Sequence, residues 1–177
     1  MSATRIAAVQ MVSGPDIAQN LRDADRLVAE AAARGARLVA LPEYFPLISG
    51  DEMDKVRARE KEGEGPLQDF LRETALRHKV WLVGGSIPLQ ASSPDKVRNA
   101  CLAFDDAGRR VARYDKIHLF GFTRGTEQYD ESRTIEAGGE AVLRAVLHDD
   151  AGGHLLAVAL VHPVPDGAAA GPPARLE

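Results

Sequence analysis

Cysteine is nearly absent from this sequence of 177 residues, which contains only Cys101. A single cysteine cannot form an internal disulfide framework or a zinc site built from several thiolates. Long apolar runs are also absent, because the N-terminal segment holds one arginine and then a short apolar stretch, too brief for a signal-peptide core or a membrane span. These absences predict a cytoplasmic protein that does not associate with membranes.

Positive charge is not in excess either, since the sequence contains 22 Lys and Arg residues and 26 Asp and Glu residues. Without a basic cluster, nucleic acid is not an expected partner. Among the histidines, His118 has no second histidine at metal-ligand spacing, so no metal site is expected. The length and the 45% hydrophobic content are typical of one globular domain.

The first half of the sequence alternates between strand and helix patterns. Residues 5–11 (RIAAVQM) predict a short buried strand, and Asp16 is a suitable N-cap for an amphipathic helix that Gly35 would end. Residues 36–41 (ARLVAL) predict a second strand, buried on both faces. This order of strand, helix and strand predicts an α/β fold.

The middle of the sequence continues this pattern. The charged segment 51–65 predicts a surface excursion, and Pro66 opens a second helix that runs to His78. Residues 80–88 predict a third strand that ends in glycines, and segments 99–104 and 110–114 flank an Asp-Asp-Ala-Gly turn as a β-hairpin.

The C-terminal part changes in character. Residues 141–147 and 154–161 predict two further strands, whereas residues 162–177 are rich in proline, glycine and alanine and predict a disordered tail. The expected domain therefore covers residues 1–161. A fold that stops at a buried-looking strand is expected to be truncated, because nothing would cover that strand.

Three charged residues are candidates for chemistry. Glu43 follows strand 36–41 at its carboxyl end, where α/β folds place ligands; the alternative is an ordinary exposed glutamate. Lys116 lies in YDKIHLF, where strand alternation would put it on one face with His118. The alternative is a solvated lysine at a strand end. Glu131 lies in a polar loop, for which solvation is the simple explanation.

Cys101 lies in a strand between Ala100 and Leu102. Free cysteines in such positions usually act as small core hydrophobes, so we expect this thiol to be structural and not nucleophilic.

The sequence resembles the nitrilase superfamily of carbon-nitrogen hydrolases in the order and spacing of five segments. These are RIAAVQM, ARLVALPEYF, GPLQDFLRETALRHKVWLVGGSIP, NACLAFDDAGRRVARYDKIHLF and YDESRTIEAGGEAV. LPEYF and YDKIHLF are the most specific parts, and the latter is similar to Nit-type amidases that act on ω-amides and deaminated glutathione. The resemblance implies an α-β-β-α sandwich, incomplete at its C-terminus, a small-molecule amide substrate and a possible homo-oligomer. It also implies Glu43 as general base, Lys116 as oxyanion stabiliser, Glu131 as a supporting carboxylate, and no cofactor.

The sequence departs from the family at the nucleophile. In the family a cysteine follows a buried strand, whereas here the equivalent strand 154–161 runs into His162 and Pro163. We therefore expect the chain to be inactive. Two hypotheses remain open: a hydrolase whose reading frame is shifted or ends early, and a catalytically dead interaction subunit that pairs with an intact relative.

Overall fold

The structure is a computed structural model that describes residues 4–140, 142–147 and 156–160. Its helices are α1 (Ile17–Ala33), α2 (Asp54–Arg57) and α3 (Pro66–His78). Its strands are β1 (Arg5–Ala8), β2 (Ala36–Ala40), β3 (Trp81–Val83), β4 (Ile87–Gln90), β5 (Val97–Phe104), β6 (Arg110–Asp115), β7 (Gly121–Arg124), β8 (Glu127–Asp130), β9 (Val142–Leu147) and β10 (Leu156–Leu160). The predicted α/β class is confirmed.

A mixed sheet of six strands, β1 to β6, forms the centre of the described part. Strands β1, β2 and β3 are parallel, and β5 runs antiparallel to β3, β4 and β6. Within β5, Ala100 pairs with Ile87 of β4 on one edge and with Asp115 of β6 on the other. Strands β3 and β4 follow one another along the same edge of β5, and β5 and β6 form the predicted hairpin.

Helices α1 and α3 pack side by side on one face of this sheet. Asp16 caps α1 by accepting a hydrogen bond from the Gln19 backbone N–H at 3.0 Å, and Gly35 ends the helix with a left-handed φ of 84°. Val28 of α1 and Leu71 of α3 are fully buried in one cluster with strand residues of the sheet. Burying a side chain such as Leu71 contributes about 1.5–3 kcal/mol, so this face forms the main core.

The predicted third strand over residues 80–88 is wrong as a single element, because Gly84 and Gly85 divide it into β3 and β4. Gly85 has a φ of 54°, and a Cβ atom on it would lie 2.0 Å from the carbonyl oxygen of Pro42. The backbone of the segment that follows β2 therefore passes against Gly85. Any side chain there would push this segment away.

The predicted burial of segment 5–11 is also wrong in its first half. In the described part of the chain, β1 pairs with β2 alone, and Ile6 is 59% exposed. Val9 and Met11, which follow the strand, do pack against the core. An edge position leaves one side of a strand without a neighbour, and the apolar sequence cannot reveal this.

The predicted surface excursion over residues 51–65 contains buried structure. Val56 of α2 is 3% exposed, and the Glu60 backbone pairs with Leu89. The buried Glu60 carboxylate accepts hydrogen bonds from the backbone N–H groups of Leu67 and Gln68, at 2.5 and 3.1 Å. Glu60 thus caps α3, whose first N–H groups would otherwise lack partners.

Two further strand pairs lie outside the central sheet. Strands β7 and β8 form a hairpin, and β9 pairs antiparallel with β10, as the strand patterns at 141–147 and 154–161 predict. The expected tail, 162–177, lies outside the described residues. In the part of the chain that the structure describes, no helix combines the length and the apolar character that a membrane crossing requires.

Gly85→Ala is expected to lower the free energy of unfolding by at least about 2 kcal/mol, because it adds a Cβ atom against Pro42 at a left-handed φ. Gly50→Ala is the matched control, since a Cβ atom there meets nothing within 4 Å. Urea unfolding of both variants measures the difference. Equal stability of the two variants would contradict the close approach.

Candidate active site

The loop that carries Glu43 leaves β2 and is clamped onto the break between β3 and β4. The Leu41 N–H donates to the Val83 carbonyl at 2.9 Å, and the Tyr44 N–H donates to Ser86 Oγ at 2.9 Å. Tyr44 has a φ of 53°, an uncommon conformation for a residue with a side chain. These contacts fix the backbone on both sides of Glu43, whose side chain remains 54% exposed.

The Lys116 ammonium lies between two carboxylates that are distant in sequence. Its Nζ atom is 3.1 Å from Glu43 Oε1, and it is 3.1 and 2.9 Å from the two carboxylate oxygens of Glu131. The structure thus brings together the three residues that the sequence singles out. Strand β6 ends at Asp115, so the expected strand alternation of Lys116 with His118 is wrong.

Glu131 is buried, so the explanation of its segment as a solvated loop is wrong for this residue. Only 4% of Glu131 is exposed, and it begins a short 3-10 helix after β8. Its carboxylate accepts a hydrogen bond from the Phe120 N–H at 2.7 Å, and its own N–H donates to the Phe120 carbonyl at 3.0 Å. This double contact fixes the carboxylate that holds Lys116.

The electrostatic balance at Lys116 favours the charged form. Partial burial lowers the pKa of Lys116, but hydrogen bonds to Glu131 and Glu43 and the charges of these carboxylates outweigh it, so the pKa lies above its ordinary value of 10.5. Because the folded-state pKa is the higher one, this contribution to stability is complete at neutral pH. It is lost only as the pH rises through the raised pKa.

Asn99 is a site residue that the sequence analysis missed. It lies at 3% exposure in β5, and its Nδ2 donates to Glu43 Oε1 at 2.7 Å. Its backbone carbonyl accepts from the Lys116 N–H at 3.0 Å. Asn99 therefore contacts both members of the Glu43–Lys116 pair. An amide directly before the apolar run ACLAF was the available signal.

A small cavity opens beside this cluster, with a volume of about 130 Å³. Tyr44 and Tyr129 line it, and Lys55 Nζ lies over the Tyr44 ring, 5.6 Å from the ring centroid. The Tyr44 hydroxyl is buried and has no hydrogen-bond partner among the described residues. Burial, together with the charges of Glu131 and Glu43, raises the pKa of Tyr44, so its phenol is neutral.

Cys101 lies in β5 and is 8% exposed, as expected from the sequence. Burial raises the pKa of its thiol to about 12, so almost no thiolate exists at neutral pH. No hydrogen bond or ion pair links it to the Glu43–Lys116–Glu131 cluster in the described structure. Its environment is that of a core side chain.

Within residues 4–140 and strands β9 and β10, no group of three or more His, Cys, Asp or Glu side chains could hold a metal ion.

The Glu43–Lys116–Glu131 cluster can transfer a proton and stabilise negative charge. Glu43 has one oxygen, Oε1, held by Asn99 and Lys116, while its other oxygen carries neither contact. A carboxylate and an ammonium fixed side by side suit acyl-transfer chemistry.

Comparison with known proteins shows the family. The carbon-nitrogen hydrolase family matches residues 5–160. The chain is 38% identical over 139 residues to omega-amidase NIT2 of Danio rerio, covering 78% of this chain and 49% of that protein. It is 36% identical over 141 residues to deaminated glutathione amidase of Yersinia enterocolitica, with the same 78% and 49% coverage. The chain thus spans about half the length of the curated relatives it matches.

A solved structure extends the likeness to the fold. An amidase of the nitrilase superfamily from Nesterenkonia sp. AN1, solved with acrylamide added to its active site cysteine, superposes with a TM-score of 0.64. It is 25% identical, and the match covers 88% of this chain and 56% of that chain. The nitrilase-type fold expected from the sequence is confirmed.

Glu131→Gln is expected to lower the free energy of unfolding by about 2 kcal/mol, because it leaves the Lys116 ammonium short of its buried partner. The value lies below that of a fully buried pair, because Lys116 is 23% exposed. Glu43→Gln, at an exposed position, is expected to cost less than about 1 kcal/mol. Urea unfolding at pH 7 compares the two, and a larger loss in Glu43→Gln would refute this ranking.

Cys101 in the native protein is expected to react slowly with a thiol reagent, because it is buried and protonated. In guanidinium chloride, one equivalent of thiol per chain should react rapidly. The absorbance change of an aromatic disulfide reagent follows both reactions. Fast stoichiometric labelling of the folded chain would overturn the assignment of Cys101 as a structural residue.

Proposed function

The chain belongs to the carbon-nitrogen hydrolase family, the nitrilase superfamily, and we propose that its Glu43–Lys116–Glu131 cluster is the acid-base part of an amide-hydrolysing site. The observation that carries this proposal is the Lys116 ammonium, held within 3.1 Å of both carboxylates. Stability does not account for the whole arrangement, because the Glu43 side chain is 54% exposed and its pair with Lys116 contributes little. The arrangement is well suited to a reaction in which a proton moves and negative charge develops on a carbonyl oxygen.

Each residue has a distinct part in this proposal. Glu43 is the general base, which first takes the proton of the attacking group and later activates the hydrolytic water. Lys116 stabilises the oxyanion that forms when the amide carbon becomes tetrahedral. Glu131 touches Lys116 and not the substrate, and it keeps the ammonium charged and oriented.

The nucleophile is the part that this sequence does not supply. The Nesterenkonia amidase has an active site cysteine, whereas the sequence here continues with His162 after the strand pattern that it predicts at 154–161. Cys101 is buried, and its pKa of about 12 keeps the thiol protonated. We therefore propose that the 177 residues form a hydrolase scaffold without turnover.

The proposed substrates are small linear amides. The relatives named above are an omega-amidase and a deaminated glutathione amidase, and about half of each is matched by this chain. Ammonia or an amine would leave when the carbon-nitrogen bond breaks, and the acyl group would end as a carboxylate. Neither step requires a cofactor in this scheme.

The purified chain is expected to release no ammonia above background from ω-amides, since loss of the nucleophile removes several orders of magnitude in rate. A coupled ammonia assay measures this, with Glu43→Ala and Lys116→Ala as comparison variants. Robust turnover that either substitution abolishes would refute inactivity and require a different nucleophile.

A chimera tests the positive half of the proposal. Residues 1–160 are joined to the segment of the Nesterenkonia amidase that begins at its active site cysteine. Ammonia release should appear and should fall by at least about 100-fold in Glu43→Gln or Lys116→Gln. Glu64→Gln is the matched control, because the exposed Glu64 carboxylate forms an ion pair with Lys61 on the surface. An active chimera that is indifferent to Glu43 and Lys116 would refute their roles.

A further inference from the structure

Asn99 is a buried polar residue whose side-chain amide is only half engaged. It lies on β5, which pairs with β3, β4 and β6, and 3% of it is exposed. Its Nδ2 donates to Glu43 Oε1 at 2.7 Å, whereas its Oδ1 is buried without a hydrogen-bond partner among the described residues. A buried amide oxygen without a partner costs stability, so the stability of the fold does not account for this residue.

Asn20 shows how a purely structural asparagine is bonded in the same protein. It is equally buried, at 3% exposure, and both ends of its amide contact backbone. Its Oδ1 accepts from the Gly14 N–H at 3.0 Å, and its Nδ2 donates to the carbonyls of Gly14 and Pro46 at 2.7 and 2.9 Å. These bonds tie the segment before α1 to the loop after β2. The Asn99 amide instead donates to the exposed carboxylate of Glu43.

Two donors converge on Glu43 Oε1, and they decide where Glu43 can carry a proton. The Asn99 Nδ2 lies 2.7 Å from Oε1, and the Lys116 Nζ lies 3.1 Å from it. An amide NH₂ and an ammonium only donate hydrogen bonds, so a proton on Oε1 would point at other N–H groups. The second oxygen, Oε2, carries neither contact. A proton taken up by Glu43 is therefore most stable on Oε2.

Resting on the proposed function, we propose that Asn99 is a positioning residue that holds Glu43 by Oε1 and leaves Oε2 as the atom that accepts the proton. In the hydrolytic step, an O–H bond of the water breaks while its oxygen bonds to the acyl carbon, and the released proton bonds to Oε2. Lys116 alone cannot fix this choice, because its ammonium is a point charge on a flexible chain. The Asn99 amide is planar and stands on a central strand, so its direction is fixed.

Asn99 also sets the position of the cation. Its backbone carbonyl accepts a hydrogen bond from the Lys116 N–H at 3.0 Å. One residue of β5 therefore holds the side chain of the base and the backbone of the oxyanion stabiliser. This is a second reason for an asparagine here, since only its side chain, and not its carbonyl, depends on the residue type.

NMR spectra of the 177-residue chain test the hydrogen bond and the choice of oxygen. The Asn99 side-chain N–H resonance is expected downfield of its position in Glu43→Ala, because a carboxylate is a strong acceptor. When the pH is lowered until the Glu43 carboxyl carbon reports protonation, a clear part of this difference should persist, because the proton resides on Oε2. Equal shifts in the native chain and in Glu43→Ala, at either pH, would overturn the proposal.

Asn99→Leu and Asn20→Leu form a matched pair, because each replaces an equally buried asparagine by an apolar side chain of similar size. Asn99→Leu is expected to lower the pKa of Lys116, since Glu43 is no longer held beside it, and to change the urea midpoint little. Asn20→Leu should lower the urea midpoint, because it leaves backbone groups unpaired, without changing the pKa of Lys116.

NMR titration of the Lys116 side chain gives this pKa in each variant. A pKa in Asn99→Leu that equals the native one would overturn the positioning role. The Asn99 N–H measurement uses the native side chain of Asn99, so it decides the proposal even where Asn99→Leu fails to fold.

Failure of the proposed function has a different signature. In the chimera described above, Asn99→Leu is expected to lower kcat at least about tenfold with little change in KM, as loss of a hydrogen bond to a charged group allows. An unchanged kcat would overturn the positioning role, while Glu43→Gln would still stop turnover and the proposed function would stand. Turnover that is indifferent to Glu43 would refute the proposed function, and the positioning role with it, whatever the NMR spectra show.

Discussion

The position of one ammonium group organises the site and ties it to the fold. Glu131 and Glu43 surround the partly buried Lys116 and raise its pKa despite its burial. Each carboxylate is in turn fixed by backbone: Glu131 by its exchange of hydrogen bonds with Phe120, and Glu43 by the loop clamped on the break between β3 and β4. Segments after β2, after β6 and after β8 therefore meet at a single charge. Moving any of them would expose or unpair it.

Much of the fold follows from local signals in the sequence. Helix α3 runs from Pro66 to His78 as predicted, because proline at the first helical position and an apolar stripe are both local properties. The break at Gly85 could not be predicted, since its cause is the carbonyl of Pro42, more than forty residues away. The same reason explains why β1 looked buried in sequence. Whether a strand is buried depends on the elements that pack beside it and over it, and not on its own sequence.

The site shows the same division between local and distant causes. Glu43 and Lys116 stood out because each belongs to a short segment that resembles the family. Asn99 and the burial of Glu131 did not stand out, because a hydrogen bond from β5 and an ion pair across fifteen residues become visible only after folding. The family relationship covers about half of each relative, since the relatives are about twice as long as the aligned segment. In the proposed function, the described residues supply the base and the cation.

The free edge of β1 has a consequence for how the chain behaves at high concentration. Among the described residues, one side of this strand offers its backbone N–H and C=O groups to no neighbour, and Ile6 beside them is 59% exposed. Unpaired strand edges recruit strands from other molecules, and an exposed apolar side chain strengthens such pairing. Lysine or proline substitutions on that edge are the usual protection against this self-association. Within β1, Arg5 is the one charged residue, so the protection of this edge by charge depends on a single side chain.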